Sequence, residues 1–263
     1  MDTGLKDEWV FIAGSSKGIG YGIAEKFLED GANVVITGRD CSVIDKSYEV
    51  LVEKYNDKSV LKFCGDLLDE TFVATIAKDL ENKQVNLSHI ICNVGSGKTK
   101  SLIGQDISEF QKMLDINFLA SVNVTLGIGK LLFRDENDLK CNRTITYISS
   151  ICSKSSIGCP IAYASAKAAL DAYAKNMSNY LSKYGIRVNL VSPGNILFPG
   201  STWEDKINTD EDAVKRMLSE KVPLNKLGDI NDIASLVIFL SSKHASFITG
   251  ADFIVDGGQL NIT

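Results

Sequence analysis

The first forty residues constrain the fold more than any other stretch of the chain. Trp9–Ala13 (WVFIA) is a short apolar run with glycine directly after it, which reads as a buried strand. GSSKGIG at 14–20 then opens an amphipathic helix that turns Ile19, Ile23, Phe27 and Leu28 inward and stops at Gly31. Residues 33–37 (NVVIT) make the next strand. Strand, glycine-rich turn, helix and strand in that order form a βαβ unit. Its turn lets backbone approach a phosphate at the positive end of a helix. Gly14, Ser16, Lys17, Gly18, Ile19 and Gly20 are the turn's candidate cofactor contacts. Their spacing is G-x-x-x-G-x-G rather than the common G-x-G-x-x-G.

The residue after the second strand of such a unit reads the adenosine ribose. An acid there suits the 2′-hydroxyl of NAD, and arginine suits the 2′-phosphate of NADP. This chain has Gly38-Arg39, with Lys17 in the turn. A planar guanidinium and an ammonium favour NADP(H) over NAD(H).

The alternation continues to the end. Helices are expected at 42–56, 69–81, 106–133, from Tyr163 to about Tyr184, and at 229–241. Strands are expected at 60–64, 88–93, 144–148 and 186–191, with a last one in ADFIVDGG. No linker, repeat or low-complexity segment interrupts them. The pattern predicts one doubly wound α/β domain over 1–263 with a parallel sheet. Asp66, Leu67, Asn93, Gly95, Pro193, Gly194 and Ile196 follow strand C-termini, the edge where such sheets bind ligands. Residues 203–221 are polar and are expected to form a substrate lid, within a region of about 195–222.

The chemistry concentrates between Ser150 and Lys167. Of eight tyrosines, only Tyr163 has a lysine four residues later, in an alanine-rich stretch with high helix propensity. An i,i+4 pair shares one helix face. A tyrosine acting as a base near neutrality needs roughly 4 kcal/mol of help. An ammonium about 4 Å away supplies that order at an effective dielectric of about 20. Tyr163 is therefore a candidate acid/base, with Ser150 holding the substrate oxygen. Asn117 is a polar residue inside the apolar run INFLASV. Either it serves the site or it is a buried amide satisfied by backbone.

Composition narrows the partners. A net charge of −5 with scattered Lys and Arg lacks the basic stripe that nucleic acid needs. No apolar run approaches the ~18 residues of a membrane span, and the N-terminus lacks a secretory pattern. Six cysteines (41, 64, 92, 141, 152 and 159) form no CxxC or Cys/His cluster and read as reduced core or pocket-wall thiols in a cytoplasm. The two histidines have no metal-ligand spacing, so no metal is expected.

Taken together, these residues resemble the short-chain dehydrogenase/reductase family from Val10 to Gly258. The turn at 14–20 is similar to the family's TGxxxGIG, with Ala13 where Thr is usual. Asp66-Leu67 resembles its adenine contact. Asn93-Val94-Gly95 resembles the end of NNAG, Pro193-Gly194 its PG motif and FITGADFIVDGG its C-terminal strand signature. Asn117, Ser150, Tyr163 and Lys167 match its catalytic tetrad.

The resemblance implies a Rossmann fold with a seven-stranded sheet ordered 3-2-1-4-5-6-7, an NADP(H)-dependent carbonyl or alcohol oxidoreductase, a small-molecule substrate and a homotetramer. It implies that Ser150 polarises the carbonyl and that Lys167 lowers the Tyr163 pKa and binds the nicotinamide ribose. Asn117 would link Lys167 to solvent through a water. Phe198 stands where the family often has a carboxamide-binding Thr, leaving Ser201 or Thr202 as substitutes.

Substrates within the class include a 3-oxoacyl thioester, a sugar derivative and a small ketone. Cys141 and Tyr184 replace basic residues that carrier-protein reductases tend to have, although Lys140 and Arg143 lie nearby. The lid acids Glu204, Asp205, Asp210, Glu211 and Asp212 lean toward a polyhydroxylated or cationic substrate. Three rival readings exist. Ser16 in G-x-S-x-G, with an acid and His244, would make a hydrolase elbow. Residues 92–99 (CNVGSGKT) nearly spell a phosphate loop. A non-catalytic NADP-binding protein would use the same fold.

Overall fold

The computed structural model describes residues 2–99, 106–133 and 142–260. Lys140 and Cys141 lie outside them. Alternating apolar residues build a sheet buried on both faces. Val10, Ile12, Val34 and Ile36 point to one side, and Phe11, Ala13 and Val35 to the other. The strands are β1 (Trp9–Ala13), β2 (Asn33–Gly38), β3 (Val60–Cys64), β4 (Leu87–Cys92), β5 (Arg143–Ile148), β6 (Ile186–Pro193) and β7 (Asp252–Val255). All neighbouring pairs are parallel, in the order β3-β2-β1-β4-β5-β6-β7. This is the expected seven-stranded Rossmann arrangement.

On the first face, α1 (Gly18–Glu29) and α2 (Cys41–Lys54) pack with α9 (Ile230–Ser241). Ile23, Phe27, Ile233 and Val237 are fully buried between them. On the second face lie α3 (Glu70–Asn82), α5 (Ala120–Gly127) and α6 (Ile161–Ser182), burying Ile76, Val124 and Leu170. The 106–133 helix is not continuous. α4 (Ile107–Leu114) passes into a π-helical turn at Asp115–Leu119 before α5 begins. Such a turn frees backbone groups from the i→i−4 ladder, and Asn117 sits inside it. The polar 203–221 stretch forms two helices, α7 (Thr202–Thr209) and α8 (Glu211–Lys221), capped by Ser201 and Asp210.

The cysteines depart from expectation. Cys41 pairs with Cys64 and Cys152 with Cys159, with Cα atoms 5.4 and 5.8 Å apart, so these four are not reduced thiols. Neither pairing is legible in sequence spacing, because parallel strand order sets the Cys41–Cys64 approach. Among the described residues only Cys92 is a free thiol. It is buried in the core, which pushes it up to about 12.

Candidate active site

The glycine turn is held by the ends of β2 and β4. Thr37 Oγ1 accepts from the Gly14 amide at 2.9 Å, and Asn93 Nδ2 donates to the Gly14 carbonyl at 2.8 Å. Gly14 takes φ +71°, a left-handed conformation that a side chain disfavours. A Cβ at Gly20 would lie 2.3 Å from the Gly14 oxygen and 2.6 Å from Asn93 Nδ2. Lys17 occupies the N-cap of α1 without a side-chain cap, so the first amides of the helix have no capping oxygen. The turn is thus a backbone cradle at a positive helix end, and it fits the phosphates of a dinucleotide. Asn93 braces this cradle.

Arg39 and Asp66 face each other at the ends of β2 and β3, with Arg39 NH1 4.0 Å from Asp66 Oδ2. Both are well exposed. Asp40, the next residue, caps α2 by accepting from the amides of Ser42 and Val43. Gly38 packs against Ser16, where a Cβ would stand 2.7 Å from the Ser16 Cβ. Leu67 is buried, and its carbonyl accepts from Asn123. Gly194 closes the edge beside Asp256, and Ile196 is buried and bridges to Gly228.

Ser150 leaves the end of β5, and Tyr163 and Lys167 project from the first turns of α6. The Ser150 hydroxyl, which accepts from the Cys152 amide at 3.2 Å, lies close enough to the Tyr163 phenol to lower its pKa. Lys167, 3% exposed, donates to the Ile148 carbonyl at 2.9 Å. A Cβ built on Gly95 would lie 2.7 Å from Asn117 Oδ1 and 3.2 Å from Lys167 Nζ, so those two groups flank Gly95. Asn117 Oδ1 accepts from the Ser96 amide at 2.9 Å, and its Nδ2 donates to the Ser96 and Met113 carbonyls. Its amide is satisfied by backbone, and it stands beside Lys167 as well.

One electrostatic expectation is corrected. Burial raises the Tyr163 phenol above its ordinary value; the Ser150 hydroxyl lowers it and the Asp171 carboxylate raises it. The Lys167 ammonium donates to the Ile148 carbonyl. Burial pushes Lys167 itself down to about 8, against the pull of Asp171.

Phe198 lies over the glycine turn, where a Cβ on Gly18 would meet its ring at 2.8 Å. The Ser201 hydroxyl accepts from the Glu204 amide as the cap of α7. The lid acids are also largely engaged. Glu204 accepts from the Gly200 amide, Asp205 pairs with Lys98 at 3.0 Å, Asp210 caps α8 and Glu211 pairs with Lys215.

Two rival readings lose their geometry. His244 Nε2 binds the Asp2 carbonyl near the start of β1, the opposite end from Ser16. Residues 93–99 form an irregular loop, and Lys98 is paired with Asp205. Among the described residues no cluster of metal-ligating side chains occurs, and no helix is long and apolar enough to cross a membrane.

Comparison with known proteins places this geometry. The family model described as "Enoyl-(Acyl carrier protein) reductase" matches residues 13–259. A 3alpha-hydroxysteroid dehydrogenase of Mediterraneibacter gnavus is 28% identical over 253 residues, 96% of this chain and 97% of that protein. An NADP-dependent (R)-specific alcohol dehydrogenase of Lentilactobacillus kefiri is 31% identical over 266 residues, 98% of each. L-sorbose reductase from Gluconobacter frateurii, solved with NADPH and L-sorbose, superposes with a TM-score of 0.90 at 24% identity over 100% of both chains. The chain belongs to the short-chain dehydrogenase/reductase family of oxidoreductases.

Proposed function

We propose that this chain is an NADPH-dependent reductase of a small carbonyl compound, or the corresponding alcohol dehydrogenase in reverse. The observation that carries the reading is the meeting of Ser150 with Tyr163, beside Lys167 and Asn117, on the same sheet edge as the glycine cradle. When bound, the nicotinamide supplies or accepts the hydride. The Ser150 hydroxyl holds the substrate oxygen, and the Tyr163 hydroxyl gives or takes its proton. A raised phenol pKa keeps Tyr163 protonated at neutral pH, which suits the reductive direction. Lys167 holds the nicotinamide ribose, and Asn117 connects it to solvent through a water. Gly14, Ser16, Lys17, Gly18, Ile19 and Gly20 cradle the phosphates, and Arg39 with Lys17 receives the 2′-phosphate. Asp66 and Leu67 border the adenine, with Gly95, Pro193, Gly194 and Ile196 lining the nicotinamide half.

The NADP-dependent relative at 31% identity supports the cofactor preference. Helices α7 and α8 act as the lid of a single domain spanning 1–263. Assembly as a homotetramer is proposed from the family resemblance. The cytoplasmic location expected from reduced thiols loses that support with the two disulfides.

Titration with NADPH and NADH, followed by nicotinamide fluorescence, tests the cofactor. Tight NADPH binding that weakens on Arg39→Ala is expected, and equal binding of the two would refute the 2′-phosphate argument. Tyr163→Phe should abolish turnover of carbonyl substrates while leaving NADPH binding nearly intact. Substantial residual activity would overturn the acid/base role.

A further inference from the structure

Lys154, Asp171 and Asp252 form a charged cluster directly behind the candidate tetrad. Asp171 lies one turn past Lys167 and two past Tyr163, so the three share one face of α6. Ser149, the neighbour of Ser150, donates its hydroxyl to one Asp171 carboxylate oxygen. Lys154, from the turn that follows Ser150, binds the other Asp171 oxygen and also Asp252. Asp252 Oδ1 accepts from the Ser192 hydroxyl at 2.7 Å, at the end of β6. The charged side chains are between 17% and 26% exposed.

Five elements therefore meet at this cluster: the end of β5, the turn after Ser150, α6, the end of β6 and β7. Three of them carry Ser150, the Tyr163–Lys167 pair and Pro193-Gly194. Partly buried charges are costly to desolvate, and a hydrophobic cluster would hold these elements together as well. The charge itself calls for a role. Two carboxylates against one ammonium leave the cluster one negative charge in excess.

Lys167, buried and one helical turn before Asp171, lies on the same face of α6. Around Lys167 stand Tyr163 and Asp171 on α6, the Cys92 thiol on β4, the neutral Asn117 amide and the Gly95 backbone; Lys154 lies beyond Asp171. Its hydrogen bond is to a neutral carbonyl, that of Ile148. Burial drives Lys167 toward the neutral amine, and the Asp171 carboxylate is the largest influence opposing it.

We propose that Asp171 is a positioning residue: its carboxylate, oriented by Ser149 and Lys154, holds Lys167 as an ammonium and ties the Ser150 strand end to the Tyr163 helix. Its bearing on catalysis rests on the roles proposed above for Tyr163 and Lys167. The carboxylate touches neither substrate nor reacting atoms and acts through Lys167.

The test reads Lys167 directly, by titrating lysine 13Cε resonances in the full chain and assigning Lys167 through its loss in Lys167→Met. In Asp171→Asn the Lys167 pKa should fall by about one unit or more, the effect expected for removing an opposite charge nearby. Asp171→Glu should restore most of the shift. Lys154→Met removes the cation that partly neutralises Asp171, so it should move Lys167 upward. A purely structural cluster would lower the melting temperature in both variants without opposite shifts. An unchanged Lys167 in folded Asp171→Asn overturns the proposal. If that variant does not fold, Lys154→Met decides: an upward shift supports the proposal, and no shift or a downward one overturns it. The pH profile of carbonyl reduction separates this from the reaction reading. With the expected Lys167 shifts, the alkaline limb of Asp171→Asn should move down with Lys167. Wild-type protein without carbonyl turnover would instead refute the proposed function.

Discussion

Replacing Lys167 with methionine should stabilise the fold near neutral pH, and the gain should disappear in alkali. Lys167 is almost completely buried, and its ammonium is driven from an ordinary 10.5 to about 8. At about 1.4 kcal/mol per unit, this costs the folded state about 3 kcal/mol whenever lysine is charged in both states. Methionine is similar in length and removes that cost. It also leaves the Ile148 carbonyl without its partner, which returns about 1 kcal/mol. The expected net gain is about 2 kcal/mol below pH 8.

The pH window follows from the direction of the shift. The folded-state pKa is the lower one, so between about 8 and 10.5 the unfolded chain binds more protons than the folded one, and wild-type stability climbs with pH relative to the variant. Above 10.5 lysine is neutral in both states, and only the Ile148 deficit of the variant remains. Urea unfolding of both proteins at pH 7, 9 and 11 measures the difference and cancels every other titrating group they share. A difference that does not change with pH, or a variant less stable at pH 7, would refute the argument that burial has displaced this lysine. Loss of turnover in a stabilised variant would be a trade of stability for function.

Three further outcomes follow from local geometry. Gly20→Ala would force its Cβ against the Gly14 carbonyl at 2.3 Å, so it should lose about 1–3 kcal/mol of stability and weaken NADPH binding, measured by urea unfolding and fluorescence titration. Asp229→Ala removes the capping box of α9 and should cost about 1 kcal/mol in urea unfolding, without altering NADPH affinity. Reduction of Cys41–Cys64, which joins the start of α2 to the end of β3, should lower stability by about 3 kcal/mol. A Cys41→Ser/Cys64→Ser double variant should lack that share of the response to reductant.

Local pattern made most of the fold readable. Apolar runs bounded by glycine marked β1 and β2, and the turn between them showed its chemistry through Gly14, Gly18 and Gly20, because no side chain fits there. Tyr163 and Lys167 were legible for the same reason: an i,i+4 spacing is a geometric statement once the helix is granted. Asn117 was legible from its own surroundings as a polar oddity and was assigned to the tetrad only by the family resemblance, since the π-helical turn that places it beside Gly95 leaves no local pattern to read.

What stayed hidden depends on strand pairings that bring residues distant in sequence together. Cys41 and Cys64 approach because β2 pairs with β3, and Lys154 reaches Asp252 because β7 adds beside β6. The direction of the Tyr163 shift was hidden for a related reason. Spacing put an ammonium near the phenol, but only the packed structure shows that Lys167 donates to the Ile148 carbonyl and that burial raises the phenol. Asp171 lay in plain view, eight residues after Tyr163. Its helical register shows the shared face, whereas its importance comes from Ser149 and Lys154, which contact it from 22 and 17 residues away in the chain. In this site, sequence spacing indicates which groups can meet, and the burial of Lys167 determines what each meeting does to its charge.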